Sequence, residues 1–151
     1  MKAPRFLVVA DRGGAKAFHV EEPGGREAMP RLVDSFELED AHAKYNDVYT
    51  DQAGGFPSRA PGLGGQGNSA AEELTVQEEL ETRVIRQLAE RINAILEKHH
   101  PDRWALAAPA GVNSALLDRL SDDARNSLGM NVPKDLVKTP VPRLLGFFEQ
   151  N

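Results

Sequence analysis

The chain has 151 residues, 40% of them apolar and 27% charged, which is the size and balance of one globular domain. A net charge of −5 argues against a surface built to follow DNA or RNA, because phosphate contacts need clustered cations. There is no cysteine, which removes disulfides and thiolate metal sites, and no apolar run approaches the ~20 residues that span a bilayer.

The N-terminal stretch MKAPRFLVVADRGG has a short apolar run but neither a longer hydrophobic region nor a small-residue cleavage site. Nothing there would export the chain, which points to the cytoplasm. Arg5 to Ala10, RFLVVA, is valine-rich and apolar throughout, as expected for a strand buried on both faces. AKAFHV then alternates, so the two form a hairpin around Asp11-Arg12-Gly13-Gly14. EEPGGREAMP is a turn-rich connection. Arg31 to Leu38 resumes a strand with Leu32, Phe36 and Leu38 at even positions, although Val33 breaks strict alternation. Three strands with short connections make an antiparallel meander.

Residues from about 39 to 70 carry little periodicity and many glycines, and are expected to form a long loop. A compact domain rarely holds so long a loop without a function, and a disordered insertion is the equal alternative. The helix after it, from about 71 to 99, has the clearest signal in the chain. Leu80, Val84, Leu88, Ile92 and Leu96 recur every four residues, with Ile85 and Ile95 widening the stripe. Ser69-x-x-Glu72 and Thr75-x-x-Glu78 both match a capping box, and Pro101 ends the helix.

Arg103 to Pro109 is a short apolar strand, and GVNSALLDRLSDDARNSLG is one or two helices ending near Gly129. NVPKDLVKT reads as the last strand, with Val132, Leu136 and Val137 available to pack and Pro133 favouring an edge position. Thr139 and Pro140 open a final short helix. The order is three strands, the long loop, then α-β-α-β-α. Alternating strands and helices call for parallel pairing with right-handed crossovers. A single α/β domain over 1–151 follows, with a mixed five-stranded sheet, the first strand central, the fourth parallel beside it, and helices on both faces. That arrangement is ribonuclease H-like.

Three stretches resemble a known family: VVADRGGAKAFHV, LVDSFELEDAHAKYNDVYTDQAGG and VPKDLVKTPVPRLLGFF. They are similar to the bacterial family labelled "protein required for attachment to host cells". The resemblance rests on the Ala10-Asp11-Arg12 turn, on His42 to Asp51, and on Lys134-Asp135-Leu136. It departs at Asp51-Gln52-Ala53-Gly54, where that family often has Asp-Arg-Pro-Gly. The family in turn is similar to the middle domain of eukaryotic and archaeal class-one peptide-release factors. In those factors a Gly-Gly-Gln tip lies on a long loop before a long helix, and Gly64, Gly65 and Gln66 stand at the corresponding place here.

Such a tip has definite chemistry. Two glycines admit positive φ and close backbone approach. The glutamine offers a backbone N–H to a developing oxyanion and an amide that orients water. The resemblance thus implies a ribosome- or tRNA-associated factor acting in peptidyl-tRNA hydrolysis, rescue or hibernation. The charges between Asp40 and Glu73, at net −3, speak against a tip that enters ribosomal RNA.

Other constellations are plainer. Asp11 ends the first strand where a two-metal nuclease needs a carboxylate, but the fourth strand ends in LAAPAG with no acid, so nuclease chemistry is not expected. Asp40, His42, Asp47 and Asp51 offer ligands for a hard metal, at the irregular spacing of an ordinary solvated loop. His99 and His100 complement a helix C-terminus, and Trp104 is a core residue. The generic ligand crevice lies at the carboxyl ends of the first and fourth strands. Asp11, Arg12, Pro109, Gly111 and Asn113 would line it, with the helix start after Ala110 offering free N–H groups to an anion. A turn-stabilising Asp11–Arg12 ion pair is the alternative use of those two residues. No cofactor is called for. The expected role is non-enzymatic binding or regulation with an unidentified protein partner; the ribosome or tRNA is the alternative.

Overall fold

The computed structural model describes residues 4–21, 28–38 and 66–149, and within the long helix the side chains from Val76 onward. Five strands form one mixed sheet in the order β3-β2-β1-β4-β5. β1 (Phe6–Asp11) is central because both faces of a run with no polar side chain before Asp11 can be covered only there. β2 (Gly14–Glu21) returns antiparallel through the two-residue turn Arg12-Gly13, with Asp11 opposite Gly14. The Asp11 Oδ1 accepts a hydrogen bond from the Gly13 N–H at 2.7 Å, which closes the turn.

β3 (Met29–Glu37) pairs antiparallel with β2. The register runs from Ala17 opposite Asp34 to Phe18 opposite Leu32, leaving Val33 as an extra residue. This bulge accounts for the broken alternation in the sequence. It also corrects the expected face: Leu32 is 50% exposed, while Val33, Phe36 and Leu38 pack toward the long helix.

That helix, α1 (Gln66–His99), begins about five residues before the expected start and already runs through Ser69 and Thr75, so neither capping box opens it. Its stripe of Val84, Ile85, Leu88, Ala89, Ile92, Ile95 and Leu96 is buried on the sheet against Phe6, Val8 and Ala10. His100 ends it at φ 47, with its N–H donating to the Leu96 carbonyl at 2.8 Å. A left-handed residue in that position satisfies a terminal carbonyl, and Pro101 then blocks continuation.

β4 (Trp104–Ala107) lies parallel to β1, pairing Ala105 with Leu7 and Ala107 with Val9. α2 (Ala110–Arg119) and α3 (Asp122–Ser127) follow on the α1 side, where Leu116, Leu120 and Ala124 join the core. Ser121 caps α3, its side chain accepting from the Ala124 N–H at 3.1 Å. Ser121→Ala is expected to cost about 1 kcal/mol in urea titration. An unchanged midpoint would mean that water replaces the cap.

β5 (Leu128–Val132) is parallel to β4. It therefore starts three residues before the stretch expected to hold it and ends before Pro133. Proline has no N–H for the ladder, so Leu136 and Val137 pack from the turn beyond the strand instead. α4 (Val141–Glu149) covers the opposite face, burying Leu144 and Phe148 against Leu7, Val9, Ala105 and Ala107.

Candidate functional site

At the carboxyl ends of β1 and β4 the structure brings Arg12 and Gly111 together: an Arg12 Nη lies 3.6 Å from where a Cβ on Gly111 would stand. The guanidinium is engaged elsewhere. Its Nε donates to Glu81 on α1 at 2.9 Å and an Nη approaches the same carboxylate at 2.8 Å. Asp11 is engaged by the Gly13 N–H. The ion pair expected between Asp11 and Arg12 is thus replaced by two separate bonds, because the two-residue turn holds Asp11 over its own backbone while Arg12 reaches the helix.

Pro109 precedes α2 without a side-chain cap, and its carbonyl accepts from the N–H groups of Val112 and Asn113. Asn113 does not face the crevice. It is 4% exposed and its amide forms a reciprocal pair with Asn131 of β5, at 2.7 and 2.8 Å. This bracket ties α2 to the edge strand. Asn113→Ala is expected to lower stability by about 1–3 kcal/mol, since it leaves a partly buried amide without its partner. The change is readable in urea through fluorescence of Trp104, the one tryptophan; a loss under ~0.3 kcal/mol would show the bracket to be dispensable.

Of the remaining expected residues, Gln66 is the first residue of α1. Gly64, Gly65, Asp40, His42, Asp47 and Asp51 lie outside the described residues. Among the described residues no group of three or more histidines and carboxylates is placed to hold a metal ion. None of the helices described is long and apolar enough to cross a membrane.

Motifs that suggested a family have structural uses here. Lys134 stands over the Phe147 ring at 5.6 Å, Asp135 accepts from the Val137 N–H at 3.3 Å, and Leu136 is buried under α4. Together they dock the last helix.

A different feature opens at the other end of the sheet, where β1 and β4 begin. A cleft of about 860 Å³ is lined by Arg5, Arg31, Arg103, His19, His99 and His100, with apolar residues from both faces of the sheet. The His99 ring lies against Phe6, with centroids 5.3 Å apart, and its Nε2 is 3.5 Å from an Asp34 carboxylate oxygen. Arg31 is paired with Glu21 at 2.6 Å. Sequence inspection missed this cleft because its side chains come from strand starts and helix ends scattered along the chain. The only local signal was the His99-His100 pair, whose place at a helix terminus already explained it.

The fold and its two ends define a mixed-sheet α/β domain with a fully bonded turn at one end and an open cationic cleft at the other. A family model described as "Protein required for attachment to host cells" matches residues 6–146, and the chain belongs to that family. No curated protein matches the chain.

Proposed function

We propose that this member of the host-attachment family acts by binding another macromolecule inside the cell, in a regulatory role and without chemistry of its own. The observation that supports it most is the reach of α1. From Val76 to Arg83 its side chains are exposed apart from half-buried Leu80, and burial begins at Val84. The helical backbone continues back to Gln66, about 27 Å beyond Val84 at 1.5 Å per residue. Val76, 50% exposed, is the position on this arm from which such a contact can be read. A photo-crosslinking residue at position 76 should capture one defined partner in cells, whereas the same residue at Lys138 should not. Equal, diffuse labelling from both positions would remove the proposal.

A second reading is favoured by the sequence at the far end of the arm. Gly64, Gly65 and Gln66 meet the start of the long helix in the sequence. The resemblance to release-factor middle domains implies a Gly-Gly-Gln tip on the loop before such a helix, whereas Gln66 is here its first residue. On this reading the arm carries the Gly-Gly-Gln tip to the ribosome or a tRNA. Sedimentation at low salt tests it: co-migration with ribosomal fractions that is lost in Gly64→Ala/Gly65→Ala supports it, and absence from those fractions under several stresses sinks it.

A further inference from the structure

We infer that the cleft at the amino ends of β1 and β4 is a binding site for a small phosphorylated nucleoside. The inference is independent of the partner-binding arm, which lies on other residues.

In a chain of net charge −5, this cleft gathers Arg5, Arg31 and Arg103 from three different strand ends, against the carboxylates Asp102 and Glu149. Three of the four histidines in the chain, His19, His99 and His100, stand in the same wall. Guanidinium groups match phosphate oxygens with paired donors, which lysines scattered on a surface do not. Arg103 makes no ion pair among the described residues, and β5 has a glycine beside it. A Cβ at Gly129 would stand 3.4 Å from the Arg103 Nε, so the glycine leaves that side of the arginine uncovered. Arg31 is held by Glu21 in a pair exposed on both sides, with side-chain exposures of 61% and 46%, and such pairs are weak enough to be exchanged for a doubly charged oxyanion.

Charge alone would suit any anion; the rest of the wall narrows the class. Val20, Met130 and Leu145 supply an apolar side able to receive a flat ring. The two carboxylates cannot face phosphate favourably, but they are acceptors for hydroxyl donors such as those of a ribose. Arginines, carboxylates and an apolar floor in one cleft correspond to phosphate, sugar and base. Its volume of about 860 Å³ falls within the range of small-molecule sites, which is roughly 300–1,000 Å³.

The test is calorimetric titration of the full chain with ADP, and separately with adenosine, ribose 5-phosphate and pyrophosphate. ADP should bind saturably. Arg103→Gln should weaken it about tenfold and Arg31→Gln/Arg103→Gln further, the loss of one and then two charge-assisted contacts. Arg12→Ala, at the far end of the sheet, should bind as the parent does. All three variants change exposed side chains, and circular dichroism melts establish that each is folded. Amide shifts on adding ADP should concentrate at Phe6, Val20 and Met130. The inference is overturned by no saturable binding of any probe at roughly millimolar concentration, or by parental ADP affinity in the double variant. It is equally overturned by pyrophosphate binding as tightly as ADP, since the apolar floor would then be unused.

Discussion

Trp104→Ala is expected to lower the stability of this domain by about 4 kcal/mol, the largest loss from any single change considered. Trp104 opens β4, is fully buried, and lies in the core shared by the sheet, α1 and α2. Its Nε1 donates to the Ala124 carbonyl at 2.7 Å in a buried bond that ties α3 to β4, an interior strand of the sheet. Truncation removes the ring and leaves a cavity between elements that already pack on each other, and it strands that carbonyl. Domains of this size hold roughly 5–15 kcal/mol in total, so the urea midpoint should fall by about 2 M, followed by circular dichroism. Trp104→Phe separates the two terms. It keeps most of the ring volume but loses the N–H, and should cost about 1–3 kcal/mol. Equal losses from both variants would mean that the hydrogen bond, and not the packing, dominates. A midpoint shift below roughly 0.5 M for the alanine variant would contradict the packing account altogether.

Gly14→Ala should lower the melting temperature by roughly 6–12 °C, a loss of about 3 kcal/mol. Gly14 sits at φ +155, which L side chains rarely adopt, directly after the turn that starts β2. A Cβ there would come 2.1 Å from the Phe36 carbonyl oxygen and 3.0 Å from the Glu37 Cα. Both are backbone atoms of the paired strand, so no rotamer change relieves the clash and β3 must move. Gly146→Ala in α4 provides the control. Nothing stands within 4 Å of a Cβ at that position, and alanine favours a helix, so stability should hold or rise by about 0.5–1 kcal/mol. An unchanged melting temperature for Gly14→Ala would show that β3 yields without resistance, and with it that the hairpin register is loosely held.

The two substitutions also mark which elements were legible. β1 could be found because a run buried on both faces has to be apolar at every position. The buried half of α1 could be found because a long stripe at four-residue spacing suits only a helix lying on a sheet. The start of β5 could not. Leu128, Met130 and Val132 do alternate inward with Gly129 and Asn131 outward, but the run is only five residues long and follows α3 without a break. Its first three residues therefore read as the end of a helix. The parallel ladder to β4 specifies that strand, and a ladder uses backbone groups every residue has. Leu32 was assigned to the wrong face for a related reason, since a bulge at Val33 is a property of the pairing with β2.

The candidate sites divide along the same line. That ligands favour the carboxyl ends of parallel strands is a rule about topology, and it pointed to Asp11, Arg12, Gly111 and Asn113, which stand at or just beyond those ends of β1 and β4. It could not foresee that Arg12 would take Glu81, sixty-nine positions away, or that Asn113 would turn inward to Asn131. The amino-end cleft was beyond sequence reasoning for the same cause. Arg5 and Glu149 line one cleft only because the first strand begins and the last helix ends at the same end of the sheet.

By itself, then, the sequence determined the local states and their order: three strands, a long helix, and alternating strands and helices around a central β1. Side-chain burial preference and backbone φ act on neighbouring residues, so they leave periodic marks that can be read in the chain. Only the tertiary structure decided which polar groups are bonded to each other and which remain presented to a ligand. Those pairings are made across strands and helices far apart in the chain, and close approach in space carries no signature in the order of residues.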